Sequence, residues 1–141
     1  MALVGGLLAV AGSAWADGDI AVTAAWARPS FGQTGATALY LTLTNTGTAA
    51  DELIFVSSPA ARVSELHASR EEGGIVKMQT LGSLPLPPGA SVAFEPKGNH
   101  VMLMQLTHPL AAGEHIELEL HFKTHPPLKA DAIVSMAPPA P

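Results

Sequence analysis

The sequence predicts an all-β domain, a sandwich or barrel, and three observations carry that prediction. Charged residues make up only 13% of the 141 residues, while hydrophobic residues make up 48%. The 12 prolines and 13 glycines are scattered between short apolar runs. No segment keeps a helical period over three turns, and the runs have strand length. Such a chain is too apolar for disorder and too rich in turn residues for a helical bundle. Its length suits one buried core, and no internal repeat or linker divides it.

The opening segment "MALVGGLLAVAGSAWA" carries no charge and ends in Ala14-Trp15-Ala16, a small-x-small pattern. It reads as a secretory signal peptide cleaved before Asp17, although it lacks the usual basic n-region. The run is shorter than the roughly 20 apolar residues that span a bilayer, and no later run is long enough. The expected division is signal peptide 1–16, β-domain 17–136 and a Pro/Ala tail 137–141.

Ile20 to Trp26 alternates loosely and leads into the turn-like "RPSFGQTG". In "ALYLTLTNTG" Leu41 and Leu43 alternate with Tyr40, Thr42 and Thr44, a strand closed by Asn45 to Gly47. "DELIFVSSP" is a short strand stopped by Pro59. "ARVSELHAS" and "GIVKMQTL" flank "REEGG" as a hairpin, and "PLPPGA" reads as a loop. "SVAFEP", "HVMLMQL", "HIELELHF" and "DAIVSM" complete the set.

Charge and composition exclude several functions. A net charge of −5 without any basic stripe argues against nucleic acid as a partner. The absence of cysteine excludes disulfides, zinc-thiolate sites, iron–sulfur clusters and blue-copper centres. Ser64 lies near His67, but nothing marks a Ser–His–acid constellation.

The six histidines sort by alternation. In "EHIELELHF" Ile116, Leu118, Leu120 and Phe122 share one face, which leaves His115 and His121 toward solvent among carboxylates. His108 and His125 each precede a proline and fall in loops. Glu65, Glu71 and Glu72 read as a solvated acidic turn. His67 and His100 remain, and both have a methionine in reach. A turn at Glu72-Gly73 sets His67 directly opposite Met78, with Cβ atoms about 5 Å apart; a turn at Gly73-Gly74 makes the pair diagonal. His100 and Met102 project from one strand face about 7 Å apart.

Two imidazoles and two thioethers form a neutral, soft donor set, which favours Cu(I) over zinc. On alternation alone the rival reading stays open, because methionine also fills gaps in β-cores.

The spacing is more specific. His67, Met78, His100 and Met102 reproduce H-x10-M-x21-H-x-M, the signature of the periplasmic copper chaperones of the PCuAC family. "AWARPS", "ALYLTLTNTG", "DELIFVSSP", "VSELH" and "NHVMLMQL…PLAAGE" resemble that family in order. The resemblance implies a cupredoxin-like Greek-key β-sandwich without a blue-copper site. It also implies a non-enzymatic periplasmic carrier that binds Cu(I) through those four residues. Its partners would be cytochrome c oxidase subunit II, at the binuclear copper centre, and Sco-type thiol copper proteins. Some relatives add copper sites in a His- and Met-rich tail, whereas this chain ends "SMAPPAP", so one copper per chain is expected. Met104 is expected to pack in the core beneath the site. The rival functions are a periplasmic copper redox protein (a cuprous oxidase or reductase) and a metal-free structural sandwich.

Overall fold

The computed structural model describes residues 15–17, 19–30 and 35–139. Most of the expected signal peptide, residues 1–14, and the last two residues of the tail lie outside the described residues. The described residues form eleven strands and no helix. These are β1 (Trp15–Asp17), β2 (Ile20–Ala27), β3 (Ala36–Asn45), β4 (Asp51–Ser57), β5 (Ala61–Glu72) and β6 (Ile75–Leu81), followed by β7 (Leu84–Leu86), β8 (Ser91–Ala93), β9 (Asn99–Leu106), β10 (His115–Phe122) and β11 (Leu128–Val134).

The strands hydrogen-bond in the order β6-β5-β9-β3-β2-β11-β10-β4-β7, with β1 on β2 and β8 on β3. All pairings are antiparallel except that of β11 with β2. At the bend of the sheet, β2 breaks register between Thr23 and Trp26, where Ala24 takes a positive φ of 53°. Such a bulge sharpens the local twist and lets one strand serve two sheet directions. The far end of the path returns toward its start: the Ser64 hydroxyl on β5 donates to the Val56 carbonyl on β4. The continuous sheet therefore folds into a sandwich around one core.

Alternation decides what fills that core. Leu39, Leu41 and Leu43 of β3 are buried, as are Ile116, Leu118 and Leu120 of β10 and Leu128, Ala130, Ala132 and Val134 of β11. Ile20, Val22 and Trp26 of β2 join them, as do Leu53, Val56, Leu66, Leu86, Phe94, Val101, Leu103 and Leu110. At about 1.5–3 kcal/mol for each fully buried aliphatic side chain, this set is the dominant stabilising term.

The structure corrects two local expectations and decides one that the sequence left open. "PLPPGA" is not wholly loop, because Leu84–Leu86 forms β7, with Pro85 opposite Glu52 of β4. Proline, which lacks an N–H, is tolerated there because β7 is an edge strand. Of the two turns that the sequence allows, the hairpin takes Gly73-Gly74, since Glu72 pairs with Ile75. Both glycines have positive φ, 58° and 81°, as a two-residue primed turn requires, and glutamate would be strained there. Met104 lies on the outer face of β9, half-buried, while Val101 and Leu103 face the core.

Candidate metal centre

The outer face of the β6-β5-β9 segment brings the candidate residues together. Directly opposed residues of antiparallel strands point to the same side of the sheet. His67 of β5 opposes His100 of β9, and Glu65 opposes Met102. On the other flank Ser69 of β5 opposes Met78 of β6, which makes Met78 the diagonal neighbour of His67, about 7–8 Å away between Cα atoms. His67, Met78, His100 and Met102 thus share one face, opposite the core face of Leu66, Val101 and Leu103.

The two imidazoles meet edge to face, with ring centroids 5.4 Å apart. His100 is buried, and its Nδ1 lies 3.1 Å from the Gly98 carbonyl oxygen. A carbonyl only accepts, so Nδ1 carries the proton and Nε2 keeps its lone pair. His67 is largely buried, and its Nε2 lies 2.9 Å from Glu65 Oε1. Its Nδ1 is buried without a hydrogen-bond partner. Met78, by contrast, is 56% exposed on the outermost strand. The site is therefore asymmetric, with a largely covered imidazole pair flanked by an exposed thioether. Beyond β9, Ala38 of β3 opposes Met102, and Tyr40, two residues on, packs on Trp26 at 4.8 Å between ring centroids.

An orphaned imidazole nitrogen next to two thioethers fits a soft monovalent ion better than a hard one. Among the described residues no group of three His, Asp or Glu side chains could hold a metal.

The other histidines lie apart from this centre. His115 meets Asp131, and His108 meets Glu114. The His108 contact, helped by the Ala111 N–H, holds the Glu114 carboxyl below its ordinary pKa. His121 is half-buried instead of facing solvent, because its ring stacks on Phe55 at 4.1 Å. Ser57 Oγ and Glu119 both approach His121 Nε2, at 3.5 and 3.2 Å. A triad needs serine and acid on different ring nitrogens, so this is no charge relay. Asp51 anchors the β10–β11 connection through the N–H groups of Thr124 and His125. Burial pushes its pKa up, but those donors and the Glu52 N–H outweigh it, and the value falls below the ordinary one.

Glu65, which the sequence reading assigned to a solvated acidic turn, lies instead within β5 beside His67. Its signal was present: two positions before His67 on a strand, it must share the His67 face.

A model of the LpqE-like family matches residues 20–134. Over 108 residues the chain is 34% identical to Lxx21020 of Leifsonia xyli subsp. xyli, named as a lipoprotein, which covers 76% of this chain and 63% of that one. Over 101 residues it is 31% identical to RP573 of Rickettsia prowazekii, covering 69% of this chain and 56% of that one. The chain thus spans less than two thirds of the length of either relative. Among solved structures, the copper-bound PCuAC domain from PmoF2 superposes with a TM-score of 0.74 at 27% identity, covering 88% of this chain and 98% of that one. The Cu(I) form of DR1885 from Deinococcus radiodurans gives 0.63 at 29% identity, covering 82% and 78%. These likenesses bear out the cupredoxin-like sandwich.

Proposed function

Because the chain belongs to the LpqE-like family and has the fold of PCuAC domains, we propose that it is a non-enzymatic copper carrier. It binds one Cu(I) through His67, Met78, His100 and Met102. The observation that carries this reading is the register: two strand pairings put all four side chains on one outer face. The copper named in the PmoF2 and DR1885 structures supports the choice of metal.

A carrier must take up its ion and release it to another protein's ligands. A site on the outside of a sheet, with one exposed thioether, allows a partner to replace ligands stepwise. Thioethers and neutral imidazoles add no charge of their own to the ion. The chain works in the periplasm after removal of residues 1–16, and the lipoprotein name of Lxx21020 supports export. Residues 17–136 form the carrier domain and 137–141 a tail. Among the described residues no helix is long and apolar enough to cross a membrane. The recipient is the binuclear copper centre of cytochrome c oxidase subunit II, in a pathway shared with Sco-type thiol proteins.

The test is an anaerobic Cu(I) titration of residues 17–141 against a chromophoric chelator, followed by mixing with the soluble domain of subunit II. One equivalent bound and then passed on is expected. No binding would leave a metal-free sandwich, and turnover with an electron acceptor would make the protein a copper redox enzyme.

A further inference from the structure

Glu65 and His67 sit two residues apart on β5, so the strand points both side chains outward on the same face. Glu65 Oε1 lies 2.9 Å from His67 Nε2. A carboxylate can only accept, so Nε2 is the protonated nitrogen of that ring. A neutral imidazole carries one N–H, and the lone pair must then lie on Nδ1. Among the described residues, Nδ1 of His67 is the buried side-chain nitrogen or oxygen left without a hydrogen-bond partner. A buried, unpaired lone pair costs free energy unless something accepts it. His100 shows the opposite arrangement: its Nδ1 donates to Gly98, which frees Nε2.

We propose that Glu65 is a positioning residue for copper. It holds His67 in the Nε2–H tautomer, so that His67 binds through Nδ1 while His100 binds through Nε2. This inference rests on the copper reading above and goes beyond it by naming the ligand atoms and the residue that selects one of them. A metal-bound histidine commonly gives its other N–H to a carboxylate, which fixes the ring and strengthens it as a donor. Glu65 also opposes Met102 across the β5–β9 pair, so its charge stands beside a bound cation. With four neutral ligands, that single carboxylate balances the charge of Cu(I).

Tautomers are read directly by two-dimensional ¹⁵N–¹H correlation of the imidazole rings, at a pH where they are neutral. In the copper-free wild type His67 should show the Nε2–H pattern and His100 the Nδ1–H pattern. Cu(I) should then move the His67 Nδ1 and His100 Nε2 resonances most. Glu65→Ala should weaken Cu(I) binding by about 10- to 100-fold and leave His67 as a mixture of tautomers. Glu65→Gln, whose amide oxygen can still accept the N–H, should recover part of both. A His67 Nδ1–H tautomer in the wild type, or unchanged Cu(I) affinity in Glu65→Ala, would overturn the proposal. His67→Ala separates the two levels. If it loses copper while Glu65→Ala does not, positioning alone is wrong; if it keeps copper, the ligand reading falls as well.

Discussion

Met102→Leu and Met104→Leu form a matched pair that separates coordination from packing. Both methionines are half-buried on the outer face of β9. Met102 opposes Glu65 on β5 and Ala38 on β3, while Met104 opposes Val63 and Ala36. The His67–His100 pair fixes the centre. From His100, Met102 is about 7 Å along the strand and Met104 about 14 Å, too far to join the same ion easily. Leucine nearly conserves the volume of methionine, so either change should cost less than about 1.5 kcal/mol of stability. The effects on copper should differ. Removing a partner outside the ligand set already costs 10- to 100-fold, so losing a ligand should cost at least about 100-fold, or roughly 2.7 kcal/mol. Met102→Leu should therefore melt close to wild type but lose competition against a Cu(I) chelator by that factor. Met104→Leu should stay within about threefold of wild type, under roughly 0.7 kcal/mol. Copper lost from Met104→Leu but kept by Met102→Leu would refute the register argument.

Other parts of the structure make equally direct predictions. Leu103→Ala removes a fully buried side chain from the core face of the same strand and should cost about 2–5 kcal/mol; denaturant unfolding within 1 kcal/mol of wild type would contradict that placement. Asp51 has a lowered pKa, so the folded state resists its protonation. Its contribution is complete above the unfolded value and lost as pH falls through the folded one. Asp51→Asn should therefore cost about 1 kcal/mol near neutrality, after screening by solvent, and the gap should begin to close only as pH falls below about 4. A gap that persists unchanged at pH 2 would show that charge is not involved. Gly74→Ala, at a φ of 81°, should cost about 1 kcal/mol and speed amide exchange in β5 and β6 but not in β10. Unchanged exchange would argue against the two-glycine turn.

The sandwich was legible wherever one residue in two is buried. Leu41 and Leu43, and Ile116, Leu118 and Leu120, fall on the core side as their alternation predicts. The same parity rule could have placed Met104, since Leu103 must take the core side if Met102 faces out. It could also have found Glu65 beside His67. Hairpin register was harder to read, because "EEGG" offers two turns and only the φ preference of glycine decides between them. Edge strand β7 was hidden by Pro85 within it and the two prolines after it, which argue against a strand unless its partnerless side is known. The meeting of His67 with His100 leaves no local trace. It depends on the long-range pairing of β5 with β9, and in sequence only the four-residue spacing signals it.

X-ray absorption at the copper edge of the Cu(I)-loaded protein tests the central claim most directly, because it reads the ligand atoms themselves. The account predicts two sulfur and two nitrogen neighbours around a single Cu(I). A shell of nitrogen and oxygen alone would contradict it.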